Sequence, residues 1–234
     1  MRLPIAALAG ACMLAAGCTV TVDGSAVAPN NAGPLNQDPI PVSALETLLL
    51  DVDEIDKALG ATSMELWFGT DEMWDWSDSV ADKNCLAIDG PAQAEVYADT
   101  GWTAVRGQRL DDSIDDSQDR EHYAIQAVVA FPSARAAAAF YRTSVQSWNA
   151  CSNRRFFDVN PGESDTVWTV AAVTNDNGTL GVSQVQEDGD GWNCQRALTV
   201  RNNISIDIVT CDYDPTSSGA RDIAEQIAAR VTQR

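Results

Sequence analysis

The strongest pattern along the chain is a pair of β-rich segments, residues 192–201 and 204–213, separated by Asn202-Asn203. Asn tolerates the positive φ that a tight two-residue hairpin loop demands. Folding there sets Arg201 against Ile204, and counting outward sets Cys194 opposite Cys211. That pair falls on a non-hydrogen-bonded position, where Cα atoms approach to about 4.5 Å and a disulfide can close.

The same reading extends upstream. Residues 122–131 alternate, with Tyr123, Ile125, Ala127, Val129 and Phe131 on one face, and Pro132 ends the strand. Ser133 then caps an Ala-rich helix with an inner stripe of Ala137, Phe140, Tyr141, Ser144, Val145 and Trp148, and Cys151 follows just beyond its last turn. Residues 102–110 read as a strand. Two more strands, 166–174 and 179–186, flank the hairpin signal Asn175-Asp-Asn-Gly178. The chain closes on a helix capped by Ser218, with Ala220, Ile223, Ala224, Ile227, Ala228 and Val231 at helical spacing. Nearer the start, Ser43-x-x-Glu46 reads as a capping box opening a short helix with Leu45, Leu48 and Leu49 inward. Asp53 reads as the cap of a second helix that buries Ile55 and Leu59 and stops at Gly60. Gly90-Pro91 starts a small helix carrying Ala94, Tyr97 and Ala98 and ended by Gly101, whereas residues 64–76 are rich in Trp and Met without a clean period. Consecutive hairpins interleaved with amphipathic helices predict an α+β fold: one domain, residues 41–234, with helices packed on a mainly antiparallel sheet.

The N-terminus adds a cellular address. Arg2 precedes an apolar run over residues 3–16 that is too short to span a bilayer and reads as a signal peptide, residues 1–17. It ends Leu14-Ala-Ala-Gly-Cys18, which resembles the lipobox of bacterial lipoproteins and makes Cys18 the expected lipidated residue and membrane anchor. Cys12 follows a shorter apolar stretch and is the weaker candidate. Residues 18–40, rich in Pro, Asn and Gly, read as a linker holding the domain about 25–30 Å from the anchor. Of six cysteines, setting aside Cys12 and Cys18 leaves Cys85, Cys151, Cys194 and Cys211. An even remainder outside the reducing cytosol implies two disulfides, and the hairpin register leaves Cys85–Cys151 by elimination. The formal charge of −19 repels nucleic acid and argues against DNA or RNA as a partner.

Catalytic chemistry finds little support in the residue types. His122 is the only histidine, no free thiol remains, and no Gly-x-Ser-x-Gly stretch occurs, so no catalytic residue is assigned. Zinc ligands would have to come from disulfide cysteines or isolated carboxylates, and the acidic loop 111–119 lacks the Gly and Glu of a calcium-binding EF-hand loop; no metal or cofactor is expected. With 34 acidic residues, paired carboxylates are too common to signal glycoside hydrolysis. Arg196 and Asp207 are diagonal neighbours across the central hairpin, where an ion pair is available. The aromatic segment Trp67, Phe68, Met73, Trp74 and Trp76 either covers one side of the sheet or lines an apolar groove; Trp67, Trp74, Trp76 and Arg196 are the candidate groove residues.

Taken together, several of these positions form a signature. Leu48-Leu-Leu50, Cys85, Tyr97 before Gly101-Trp102, Arg106-x-Gln108 and Gln126-Ala-Val-Val-Ala-Phe131 are followed by Trp148-x-x-Cys151. Gly191-Trp-x-Cys194-x-Arg-Ala-Leu198, Asn202-Asn203, Cys211 and the Ile/Ala-rich terminal helix complete it. Over residues 41–232 this resembles the PknH-like extracellular sensor domain of mycobacteria, found at the outward end of a membrane Ser/Thr kinase and as free-standing lipoproteins. The resemblance implies an α+β domain with two disulfides and a groove for an unidentified small ligand, and brings no catalytic residues. The chain itself carries no Gly-rich phosphate loop or kinase catalytic-loop motif. The expectation is therefore a lipid-anchored, non-enzymatic extracytoplasmic domain that binds a small molecule or an envelope component. A module docking an envelope protein is the alternative, and a hydrolase the third reading.

Overall fold

The computed structural model describes residues 37–113, 120–159, 164–214 and 216–234. The expected signal peptide, Cys18, most of the linker and the middle of the acidic loop lie outside the described residues. In chain order the elements are a 3-10 segment Val42–Leu48, α1 (Val52–Leu59), β1 (Glu65–Thr70), a 3-10 turn Lys83–Cys85, α2 (Leu86–Asp89) and α3 (Ala94–Tyr97). Then come β2 (Ala104–Asp111), β3 (Tyr123–Ala130), α4 (Ala134–Cys151), β4 (Arg155–Asp158), β5 (Thr166–Val170) and β6 (Thr174–Asp176). The chain ends with β7 (Thr179–Gln186), β8 (Asn193–Arg201), β9 (Ile204–Asp212) and α5 (Gly219–Thr232).

The nine strands form one sheet in the order β1-β2-β3-β9-β8-β7-β5-β4, with β6 also paired to β7. The paired strands are antiparallel throughout, so the α+β expectation holds. The β8–β9 hairpin has the predicted register: Arg201 faces Ile204 and Cys194 faces Cys211 with Cα atoms 4.0 Å apart, closed by a disulfide. The second disulfide joins Cys85 to Cys151 and ties α4 to the turn before α2. Asn202 takes the positive φ, 49°. Asn203 instead uses its side chain: Oδ1 accepts from the Ile40 N–H at 2.7 Å and Nδ2 donates to the Phe131 carbonyl at 2.9 Å.

Both faces of the sheet are covered. On one, α1, α5 and the 3-10 segment pack Leu45, Leu48, Ile55, Ile223 and Ile227 against Ile204, Ile206 and Ile208. On the other, α2, α3 and α4 pack Tyr97, Phe140 and Trp148 against Ile125, Val129, Leu198 and Val209. The helical stripes of α4 and α5 predicted from spacing are the buried faces observed, except that Val145 is only partly buried. Each fully buried aliphatic chain of this kind contributes about 1.5–3 kcal/mol.

Local corrections concern caps and short strands. Asp51, not Asp53, caps α1: its Oδ1 accepts from the Glu54 N–H at 2.9 Å while Glu54 Oε2 accepts from the Asp51 N–H at 2.9 Å. Ser43 does not cap, because it lies inside the 3-10 segment, whose N-cap is Pro41; Leu45, Leu48 and Leu49 are buried as expected. Ser218 stands at the start of α5, but its hydroxyl donates to Asp222 Oδ2 at 2.7 Å instead of accepting from the backbone. The single strand expected over 166–174 is broken. Residues 171–173 leave the ladder to meet the end of α4, where Asn153 N–H donates to the Ala171 carbonyl and Val173 N–H to Ser152 Oγ. The turn then falls on Asn177-Gly178, both at positive φ (52° and 72°). Strands β1 and β4, at the two ends of the sheet, carry no alternation strong enough to announce them.

Candidate ligand cavity

The face covered by α2–α4 is incompletely filled. Beside the Cys194–Cys211 disulfide, a cavity of about 400 Å³ opens between the end of α2 and strands β4, β5, β7 and β8. The change of residue type along β7 explains the gap. Its inward positions run Leu180, Val182, Gln184, Gln186, apolar and then polar, so the packed core stops where the cavity begins. Gln184 is 2% exposed, stands opposite Cys194, and among the described residues its Oε1 has no hydrogen-bond partner. An unsatisfied buried acceptor costs about 1–3 kcal/mol, so its survival calls for a reason.

Three indoles line the cavity: Trp76 from the loop after β1, Trp168 from β5 and Trp192 before β8. Trp76 is held by backbone contact. Its N–H donates to Gln93 Oε1 at 2.8 Å, and its ring lies on Gly90 so closely that a Cβ there would meet the ring at 2.0 Å. Trp192 is steadied by Tyr213, edge to face at 5.0 Å.

Charge is distributed unevenly around the rim. Asp89, at the last position of α2, and Asp158, at the end of β4, supply carboxyl groups on one side. Burial, with Asp158's charge adding and Arg196 opposing, pushes the Asp89 carboxyl up to about 7. Asp158 is also raised, chiefly by burial, while a hydrogen bond from Ser79 works against the rise. Arg109 on β2 and Arg120 just before β3 supply the cations of the other side. Arg120 directs both Nε and a terminal nitrogen to Asp111 Oδ2 at 2.7 Å, whereas Arg109 stands 3.9 Å from the same oxygen. Arg109 is instead stacked between Trp67, 3.6 Å from its ring centre, and Tyr123, at 5.0 Å; its Nε has no hydrogen-bond partner among the described residues. Burial lowers the Arg109 pKa, and burial pushes the Tyr123 phenol up to about 12.

The four groove candidates are thus placed differently. Trp76 lines the cavity, and Trp67, 44% exposed on β1, lies outside it as the platform beneath Arg109. Trp74 packs over Gly107, against the main core. The Arg196 guanidinium is buried under α2: it donates to the carbonyls of Ala87 and Ile88 at 3.0 Å, to Ile208 O at 2.7 Å and to Asp207 Oδ1 at 2.8 Å. Asp207 Oδ2 in turn accepts from the Ala92 N–H at 2.9 Å and the Tyr97 hydroxyl at 3.1 Å. This network fixes the segment that presents Asp89, so Arg196 acts on the cavity through position. Sequence reasoning missed Asp89, Asp158, Arg109 and Gln184. The available signals were an acid ending the apolar turn Leu86-Ala-Ile and the polar switch along β7.

His122 Nδ1 lies 2.9 Å from Asp112 Oδ2, and the Glu121 N–H donates to Asp112 Oδ1 at 3.1 Å. Among the described residues these three form the one group able to offer a metal several ligand atoms within 4.8 Å of one another. Their mutual hydrogen bonds already account for the grouping, joining the two ends of the acidic loop. Among the described residues no helix is long and apolar enough to cross a membrane.

Residues 40–230 match the family model of the PknH-like extracellular domain. The chain is 34% identical over 200 residues to the serine/threonine-protein kinase PknH of Mycobacterium bovis, covering 85% of this chain and 32% of the kinase. For PknH of Mycobacterium tuberculosis the figures are again 34% and 85%, with 30% of the kinase covered. The chain therefore spans under a third of the length of these relatives. The crystal structure of the extracellular domain of PknH from Mycobacterium tuberculosis superposes with a TM-score of 0.77 at 33% identity, covering 84% of this chain and 99% of that one. The matched structure is the kinase's extracellular part, not its catalytic domain.

Proposed function

Because the chain belongs to the PknH-like extracellular domain family, we propose that it is a sensor-like extracytoplasmic domain, anchored by a lipid on Cys18, whose cavity binds a small molecule or envelope component without transforming it. The observation that carries this is the 400 Å³ cavity, lined by three indoles, Gln184 and charged side chains from several elements. Three indoles and a few convergent polar groups around a void of this size are the usual composition of a small-molecule site. In this reading residues 1–17 are the signal peptide and 18–40 the lipidated tether. No nucleic acid takes part, given the −19 charge. Native mass spectrometry of the protein purified from its own host membranes tests both halves. A diacylglyceryl mass on Cys18 and a retained small ligand are expected; an unmodified Cys18 defeats the anchor, and a bare domain that no envelope extract shifts in Trp fluorescence defeats the ligand.

One observation favours a second reading. Asp89, held near pKa 7 beside Asp158 in a cleft, has the protonation behaviour of a general acid in glycoside hydrolysis. Cleavage products in place of intact retained ligand, abolished by Asp89→Asn, would support hydrolysis over binding.

A further inference from the structure

The cavity gathers like charges at each end. Asp89 and Asp158 face it from α2 and β4, and Asp89 makes no hydrogen bond among the described residues. Arg109 and Arg120 face it from the β2–β3 side, and their shared carboxylate, Asp111, is taken up by Arg120. Tyr123, which also lines the cavity, lies within electrostatic reach of Arg109, Arg120 and Asp89, so the two ends meet across it. The cation that opposes the rise of Asp89 is Arg196, which is already engaged by Asp207 and three carbonyls. Among the described residues each end therefore holds one surplus charge, Arg109 on one side and, once it has lost its proton above about pH 7, Asp89 on the other. Gathering like charges in a partly dry site is costly unless an opposite charge arrives.

We propose that the cavity takes a small zwitterion, its ammonium group against Asp89 and Asp158, its carboxylate or phosphate against Arg109, and its body against the indole faces. This rests on the cavity being a ligand site and adds the ligand's chemical class. Trp76, Trp168 and Trp192 suit the ammonium end, since an indole face attracts a cation within about 6 Å by roughly 0.5–2 kcal/mol. Arg109, held between Trp67 and Tyr123, lines the cavity and brings its guanidinium to the anionic end. A neutral sugar would leave both surplus charges in place.

The test is a calorimetric and thermal-shift panel on the disulfide-bonded domain at pH 8. Zwitterions of increasing length (glycine, 4-aminobutyrate, 6-aminohexanoate, phosphoethanolamine) are set against their single-charge halves (propylamine, butyrate, ethyl phosphate) and against glucose and trehalose. At least one zwitterion is expected to bind about tenfold more tightly than either half, a difference of about 1.4 kcal/mol. Asp89→Asn and Arg109→Gln should each lower that affinity by about tenfold or more, and the melting temperature of each unliganded variant confirms that it folds. Equal binding of a single-charge half, or no binding of any zwitterion at millimolar concentration, overturns the proposal. Sugar binding that survives Asp89→Asn overturns the zwitterion while leaving the ligand cavity standing. If no class binds and no ligand is retained from the host, both fail.

Discussion

On β9, Ile206 packs with the α1–α5 layer while Asp207, the next residue, reaches the layer of α2 and α3, and the two faces of the sheet differ in the same way throughout. The α5 face is aliphatic: Ile204, Ile206, Ile208, Ile223 and Ile227 are fully buried and fill it. The α2–α4 face mixes rings, two disulfides, a buried ion pair and a void. A filled aliphatic layer yields stability and nothing to recognise. An incompletely filled layer with orphaned polar atoms gives up some stability and gains a place to bind, the trade expected where a fold departs from close packing.

Four substitutions bear on that contrast, taken from the largest effect to the smallest. Asp207→Ala should be the most damaging, about 3–5 kcal/mol in urea unfolding, because it strands Arg196 as a buried unpaired cation and frees the Ala92 N–H. Ile206→Ala, one residue away on the filled face, should cost about 2–5 kcal/mol by leaving a void, and should not change ligand affinity. A change in affinity there would show that the faces are coupled.

Asp89→Asn should act in the opposite direction. With its folded pKa raised to about 7, Asp89 keeps a proton in the native state that the unfolded chain has lost, so this group makes stability fall as pH rises from about 4 to about 7. The Asn variant escapes that loss. It should be more stable than the parent by up to about 4 kcal/mol at pH 8 and equal to it near pH 4, read from melting temperatures across the range. An Asn variant that is less stable at pH 8 would mean that Asp89 is compensated in the folded state. Gln184→Met removes an unsatisfied acceptor at similar volume; a gain of about 1 kcal/mol in stability with weaker retention of the ligand is expected. A loss of stability would show that water or a neighbour already satisfies Oε1.

Much of the architecture can be read along the chain because its determinants are local and periodic. Asn202-Asn203 sets a register that carries Cys194 to Cys211, and the stripes of α4 and α5 recur at helical spacing. The family signature collected on those same positions, Trp148, Cys151, Trp192, Cys194 and Arg196, for they are the ones the scaffold holds in place. Caps were less legible: spacing pointed to Asp53, and only the reciprocal bonds between Asp51 and Glu54 set the cap two residues earlier. The cavity was barely legible. Trp67, Trp74 and Trp76 are close in sequence, yet one supports Arg109 from outside, one covers Gly107 and one lines the void, because an edge strand and an irregular loop separate them.

What the sequence determined alone is whatever depends on neighbours in the chain: the hairpin register, the cysteine pairing that follows from it, the amphipathic helices and the α+β class. Tertiary structure alone decided that Asp89, Asp158, Arg109 and Gln184, drawn from four separate elements, should surround one void. Periodicity reports which way a side chain points within its own element. Which groups then meet, and which are left without a partner, depends on how elements distant in sequence pack together.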